Sequence, residues 1–535
     1  MRLSAGASSV VVILDEHHGD RHSITHGNSF HPFDLFIQTC RSLDLYDNAW
    51  RPDKPRTDPI DAYVGALRDG GPVDLFRRDY IGLVISAAAY GFVGTLLPAT
   101  AAAALANYSS SPLLYMGWGL KLLVAASSDS IACLRYRRKS YMILGWSLVS
   151  VTCLALAFFP SASSPDTTTT HIKATLVGLA LAGMMVAKVV GDGVLVELSQ
   201  REPIDTRGHT ALALTAVRWL AAATASLVVA LAWHMDELGV TWTLDVAIAW
   251  HVLALVALVP IPALLFCLRE TNVVPACEFR RRFHTFWRLL RNRAMWQLCA
   301  FQLVGSCFAA VSATATGYMP LAAVWLPQMA RTGHSALALV VFQLLFAGMT
   351  LVFKTRGLAW NWRHATTIAA TATVFVQSVY LCRATLLTSS SSDNDEWLWF
   401  VGSWLQAAPA AVLAILRILP VIEIAHEGYE ATTFALVTGF GEFIHPLLAS
   451  FAQSAVLAPA AATPSVHHVL VVCFGLNAVG FFAIKILPRR RRDCLTLRHY
   501  GGYSTFLATM TLALTAAGTV LSFAYGTLTN VTTRS

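Results

Sequence analysis

Charge is the scarcest ingredient of this 535-residue chain: Asp, Glu, Lys and Arg make up 13% of it, while 55% is hydrophobic. Soluble chains carry about 25% charged residues, so several separate water-facing domains are excluded. Short alternating strands are also lacking, which excludes a transmembrane β-barrel and leaves an all-α polytopic membrane protein. The ten cysteines contain no CxxC pair and no regular spacing, so neither a disulfide framework nor a zinc site is signalled. There is no P-loop, HExxH motif or nucleophile–base pair, and Gly191-x-Gly193 lies inside an apolar span. An enzyme, an ATP-driven pump, a cofactor and a bound metal are therefore not expected. Nor is a secretory leader, because Val10 to Leu14 is short and is followed by Asp15 and Glu16.

What is present is a run of thirteen apolar spans, each near the roughly 20 residues that cross about 30 Å of hydrocarbon. They cover 81–107, 113–133, 141–160, 172–198, 209–233, 244–268, 296–326, 335–353, 365–387, 397–425, 431–457, 469–487 and 504–525. Residues 1–78 are polar and aperiodic and read as a mostly disordered cytoplasmic tail. Residues 79–268 hold six spans, 269–295 a basic central loop and 296–488 six more; 489–535 add a basic loop and an extra span.

The net charge of +8 is explained by membrane orientation rather than nucleic acid. With the N-terminus inside, 21 Lys and Arg fall in cytoplasmic loops against 4 on the opposite side. The sequons at Asn107 and Asn530 then fall outside. The central loop carries Arg280 to Arg282 and then Phe283, Phe286, Trp287, Leu289 and Leu290 among further arginines. That helical apolar spacing is expected to lie on the anionic inner leaflet. Arg489 to Arg492 read as an orientation anchor.

Four motifs sharpen this picture. Lys121-x7-Asp129 is followed by Tyr136-Arg137-Arg138-Lys139-x-Tyr141-Met142-x-x-Gly145-Trp146. Gly191-Asp192-Gly193-x-x-Val196-Glu197-x-x-Gln200-Arg201-Glu202-Pro203 closes the fourth span. Val421-Ile422-Glu423-Ile424-Ala425-x-Glu427-Gly428-x-Glu430-Ala431-Thr432 joins the tenth and eleventh, and Gly70-Gly71-Pro72 with Arg78 to Leu83 enters the first. Together, and in this order, they resemble the signatures of folate–biopterin transporters within the major facilitator superfamily. The resemblance runs from about Gly70 to the end and implies a 6+6 helix bundle with an extra C-terminal transmembrane helix. Two positions depart from the family pattern: Lys188 and His426 stand where it has acidic residues.

Charges away from the membrane edges are Lys121, Lys188, Asp192, Arg218, Arg417, Glu423 and Glu442. The resemblance implies that all seven lie on helices around a central cavity. Facing lipid, each would cost at least ~2.5–3.5 kcal/mol, so paired or wetted positions are expected. Asp192 and Arg218 are equidistant from Asp205 and should meet at one depth, roughly 12–14 Å inside at 1.5 Å per residue, with Lys188 one turn deeper. By the same reckoning Arg417 should meet Glu442. Either pair could lock helices together or serve transport. The resemblance implies that Asp129, Arg137 and Arg138 form a cytoplasmic gate, with Glu197, Glu423 and Glu427 at the same level. It also implies that Lys121 and Lys188 face an anionic solute and that Trp118 can stack on a pteridine ring.

The function implied is a secondary transporter moving a small polar organic solute, such as folate, biopterin or a related pteridine, by alternating access. The alternatives are a transporter of a different anionic solute and a non-transporting nutrient sensor. Its partners would be the solute and the lipid bilayer of the plasma membrane, and a monomer is compatible with this reading.

Overall fold

The computed structural model describes residues 65–104, 120–133, 136–159, 167–233, 245–270, 279–311, 333–386, 394–442 and 466–532. All lie in one compact unit, Ala62–Ser535. Among them the regular structure is helical, with only two isolated β-bridges, Cys133–Tyr136 and Asn292–Tyr503. Lipid supplies no hydrogen-bond partners, so an apolar backbone must satisfy its own amides, and the helix does so within one segment.

The helices of the first part are α1 (Ile81–Ala104), α2 (Lys121–Ser130), α3 (Lys139–Ala157), α4 (Thr167–Gln200), α5 (His209–Trp233) and α6 (Val246–Cys267). The amphipathic α7 (Phe279–Arg291) precedes α8 (Arg293–Val311), α9 (Gly333–Arg356), α10 (Trp362–Leu386), α11 (Asn394–Ile424) and α12 (430–442). The chain closes with α13 (Val466–Ile486), α14 (Arg491–Tyr500) and α15 (Thr505–Thr532). Helix thus occurs in every interval where a span is expected. Seven described helices are long and apolar enough to cross a membrane: α1, α3, α4, α5, α6 and the apolar parts of α9 and α11.

Carboxylates terminate several helices. Glu202 accepts from the amides of Gly208 and Thr210 at 2.6 and 2.8 Å, where α5 starts. Glu270 accepts from the Arg138 and Lys139 amides at 2.9 and 2.8 Å, where α3 starts. Both complement the positive end of a helix and satisfy donors that have no partner within it. Close backbone packing fixes α1 on α5: a Cβ at Gly91 would sit 1.9 Å from the Arg218 carbonyl oxygen. Trp146 of α3 is fully buried and donates Nε1–H to Ser86 of α1 at 2.9 Å. Between α5 and α9, Ser226 donates to Gln343 at 2.8 Å and Trp219 stacks on Phe346. Large apolar side chains such as Ile368, Phe375 and Phe482 point outward, as a lipid-facing surface requires.

One expectation is corrected here. Residues 65–78 are not part of a disordered tail: Leu75 is buried, and the Leu67 amide donates to the Gln200 carbonyl at 3.0 Å. Residues 1–64 lie outside the described set. The basic stretch is helical from Phe279 to Arg291, and its C-terminal part packs on protein. Leu289 and Leu290 are buried, and Phe286 and Trp287 pack against the core. Its partner is the segment around α14, through Asn292 Nδ2 donating to the Arg498 carbonyl at 2.7 Å and the Ser504 amide to the Arg291 carbonyl at 2.9 Å.

Candidate functional site

Two buried charge clusters share α4. In the first, the Asp192 carboxylate takes Arg218 Nη2 at 2.7 Å and Lys188 Nζ at 3.3 Å. The hairpin midpoint and the one-turn offset thus place all three correctly. The Tyr90 ring of α1 lies 5.6 Å from the Arg218 guanidinium and 5.8 Å from Lys188 Nζ, within cation–π range. A small cavity opens here between Ser86, Tyr90, Trp146, Lys188, Gly191 and Arg218. Lys121 of α2 donates to Glu442 at 2.6 Å and to Thr438 at 2.7 Å, both on α12.

Glu442 is therefore the partner of Lys121, which corrects the expected Arg417–Glu442 pair. Arg417 instead donates to the Gly305 carbonyl of α8 at 2.5 Å. Hairpin arithmetic fixes depth but not the direction a side chain takes around its helix axis. At Arg417 that direction is toward α8. Trp118 lies outside the described residues.

The second cluster lies one to two turns along α4, at the end that bears the basic loops. Arg138 reaches Glu197 at 2.5 Å, Asp129 at 3.3 Å and, closest of all, Glu430. Arg137 reaches Asp129 at 2.9 Å and Glu430 at 3.1 Å. The other Asp129 oxygen accepts from the Thr432 amide at 2.7 Å and its hydroxyl at 2.8 Å. Asp129 on α2 thus caps the first turn of α12, more than 300 positions away in sequence. Gly193 permits the approach, because a Cβ there would stand 2.7 Å from the Ala431 Cβ. Glu427 is exposed at the turn, and Glu430, three residues on, is the acid the arginines hold.

Several members escaped the sequence reading. Arg68, preceding α1, binds Glu430 and lies 3.5 Å from Glu197. Gln200 donates to the Ile422 and Ala425 carbonyls at 2.9 and 2.8 Å. Glu423, expected at the gate, is paired with Arg207 at 2.5 Å. The available signal was the density of charge in the fourth-span motif, but the loop arginines read equally well as orientation charges. At this rim, outside the spans, burial with the neighbouring Arg498 charge pushes His426 down to about 4. Burial raises the Glu202 carboxyl.

The BT1 family model matches residues 97–466, well over half of the chain. The chain belongs to the BT1 family, the folate–biopterin transporter family. The match contains three of the four motifs and both charge clusters except Arg68, and it stops short of α14 and α15. No curated protein matches the chain. As a BT1 member with seven helices, among the described residues, long and apolar enough to cross a membrane, it is an integral, multi-pass membrane protein of a transporter family.

Proposed function

We propose that this BT1 protein is a secondary transporter of a small anionic organic solute, of pteridine type, working by alternating access between two six-helix halves, 79–268 and 296–488. The observation that carries the reading is that α2 and α12 are joined at two levels, by Lys121–Glu442 and by Asp129–Thr432. Buried ion pairs between distant chain segments are costly unless geometry is kept, and they mark pathways in membrane proteins. The α5–α9 contact supports a second seam between the halves.

In this reading the second cluster is a closed cytoplasmic gate, formed by Asp129, Arg137, Arg138, Glu197 and Glu430. The first is the solute site, where Lys188 and Arg218 attract an anion and Tyr90 offers a ring face. Lys121 exchanges Glu442 for the solute as the halves move. Lys188 supplies an internal counter-charge where the family pattern implied by the resemblance places an acid, so movement is independent of a proton gradient. Uptake of labelled folate and biopterin into proteoliposomes, with and without an imposed pH gradient, tests this. Uptake that follows the gradient refutes the role of Lys188, and absence of uptake refutes transport of these solutes.

A further inference from the structure

Four successive arginines, Arg489 to Arg492, follow α13, yet only Arg491 turns inward. Arg489, Arg490 and Arg492 are exposed, whereas Arg491 retains 7% of its accessible surface. An orientation anchor needs charge near the membrane but no such burial. The Arg491 guanidinium donates to two carbonyls of the α4–α5 loop, that of Arg207 at 2.6 Å and that of Ile204. Its Nε lies 3.8 Å from Glu423 of α11. Arg207 in turn holds Glu423, and Arg498, two turns along α14, donates to the Glu423 carbonyl at 3.1 Å.

We propose that α14 is a latch on the gate, in which Arg491 ties the α4–α5 loop to the end of α11 and must release one of them before this face can open. The proposal rests on the alternating-access reading, in which that loop and α11 belong to halves that separate here. A planar fork serves two carbonyls and a carboxylate together, which an ammonium cannot do with the same geometry. Opening removes either the carbonyls or the acid, and the remaining buried charge is then destabilised. Arg491 and the rest of α14 lie beyond the stretch matched by the family model, so the latch assigns a role to a segment outside that match.

The test is hydrogen–deuterium exchange on the full chain in lipid nanodiscs. In Arg491→Gln, exchange should rise about ten-fold in 201–208 and 421–426. It should rise together with these in 129–138 and 427–433, which Arg491 does not touch. Arg490→Gln should change nothing, and Arg491→Lys should fall between. If only 201–208 loosens, Arg491 is a local staple and the latch is overturned. If Asp129→Asn loosens all these segments and Arg491→Gln none, the latch fails while the gate stands. If neither variant loosens them, the gate reading fails as well. Should Arg491→Gln not fold, Arg498→Gln is the milder variant, expected to raise the same segments about three-fold, and no rise there overturns the latch.

Discussion

Lys121 and Glu442 meet at 2.6 Å although 321 positions separate them. The same two helices meet again at Asp129 and Thr432. Because the ends of α2 and α12 are tied to each other, separating them at the gate also displaces Lys121 from Glu442. Gate and solute site are thereby mechanically linked in the proposed cycle, with no need for a relay through other side chains.

Asp192 and Arg218 form a buried pair at 2.7 Å, so a lone member is the costly state. Asp192→Asn or Arg218→Gln alone should each destabilise the protein by about 3–5 kcal/mol. The double variant should lose less than the sum of the two. Thermal unfolding of the four proteins in nanodiscs checks this, and strictly additive losses would show that the residues act separately.

How far the sequence reveals this site follows from geometry. Asp192, Lys188 and Arg218 were legible because i,i+4 spacing and a short hairpin fix both depth and face. Arg417 was not, since two helices of equal depth can still turn their side chains apart. Glu430 was indistinguishable from Glu427 in a turn carrying both. Arg68 and Arg207 sit in connecting segments and Arg491 at the start of the short α14, where placement is set by distant packing and nothing local marks them as buried. The helical character of each span was legible from apolar runs, while the packing of α7 against the α14 segment required knowing its partner.

At Gly193 a Cβ would stand 2.7 Å from the Ala431 Cβ of α12, so Gly193→Leu should hold the gate ajar. Exchange in 427–433 should increase severalfold while 246–267 stays unchanged. Unaltered exchange would mean that the two helices part without passing Gly193.

His426 is neutral in the folded protein down to about pH 4, whereas the free side chain titrates near 6.5. Below 6.5 the unfolded chain therefore binds the extra proton, and stability from this group is lost as pH falls from 6.5 toward 4. His426→Gln should flatten the fall in melting temperature over that window. An identical fall in both proteins would show that other groups govern it.

The excess of basic residues on one side predicts that Met1 lies inside and Ser535 outside. Impermeant reagents applied to intact cells should reach a C-terminal tag and not an N-terminal one. Both tags on one side would reduce the thirteen spans to an even number.

The central claim is carriage of an anionic solute, and uptake by the purified chain in proteoliposomes tests it most directly. The account predicts saturable uptake of labelled folate or biopterin that is unaffected by an inward proton gradient and falls at least ten-fold in Lys188→Ala. Folded protein that binds these solutes without moving them would contradict it, and would make the chain a sensor built on a transporter scaffold.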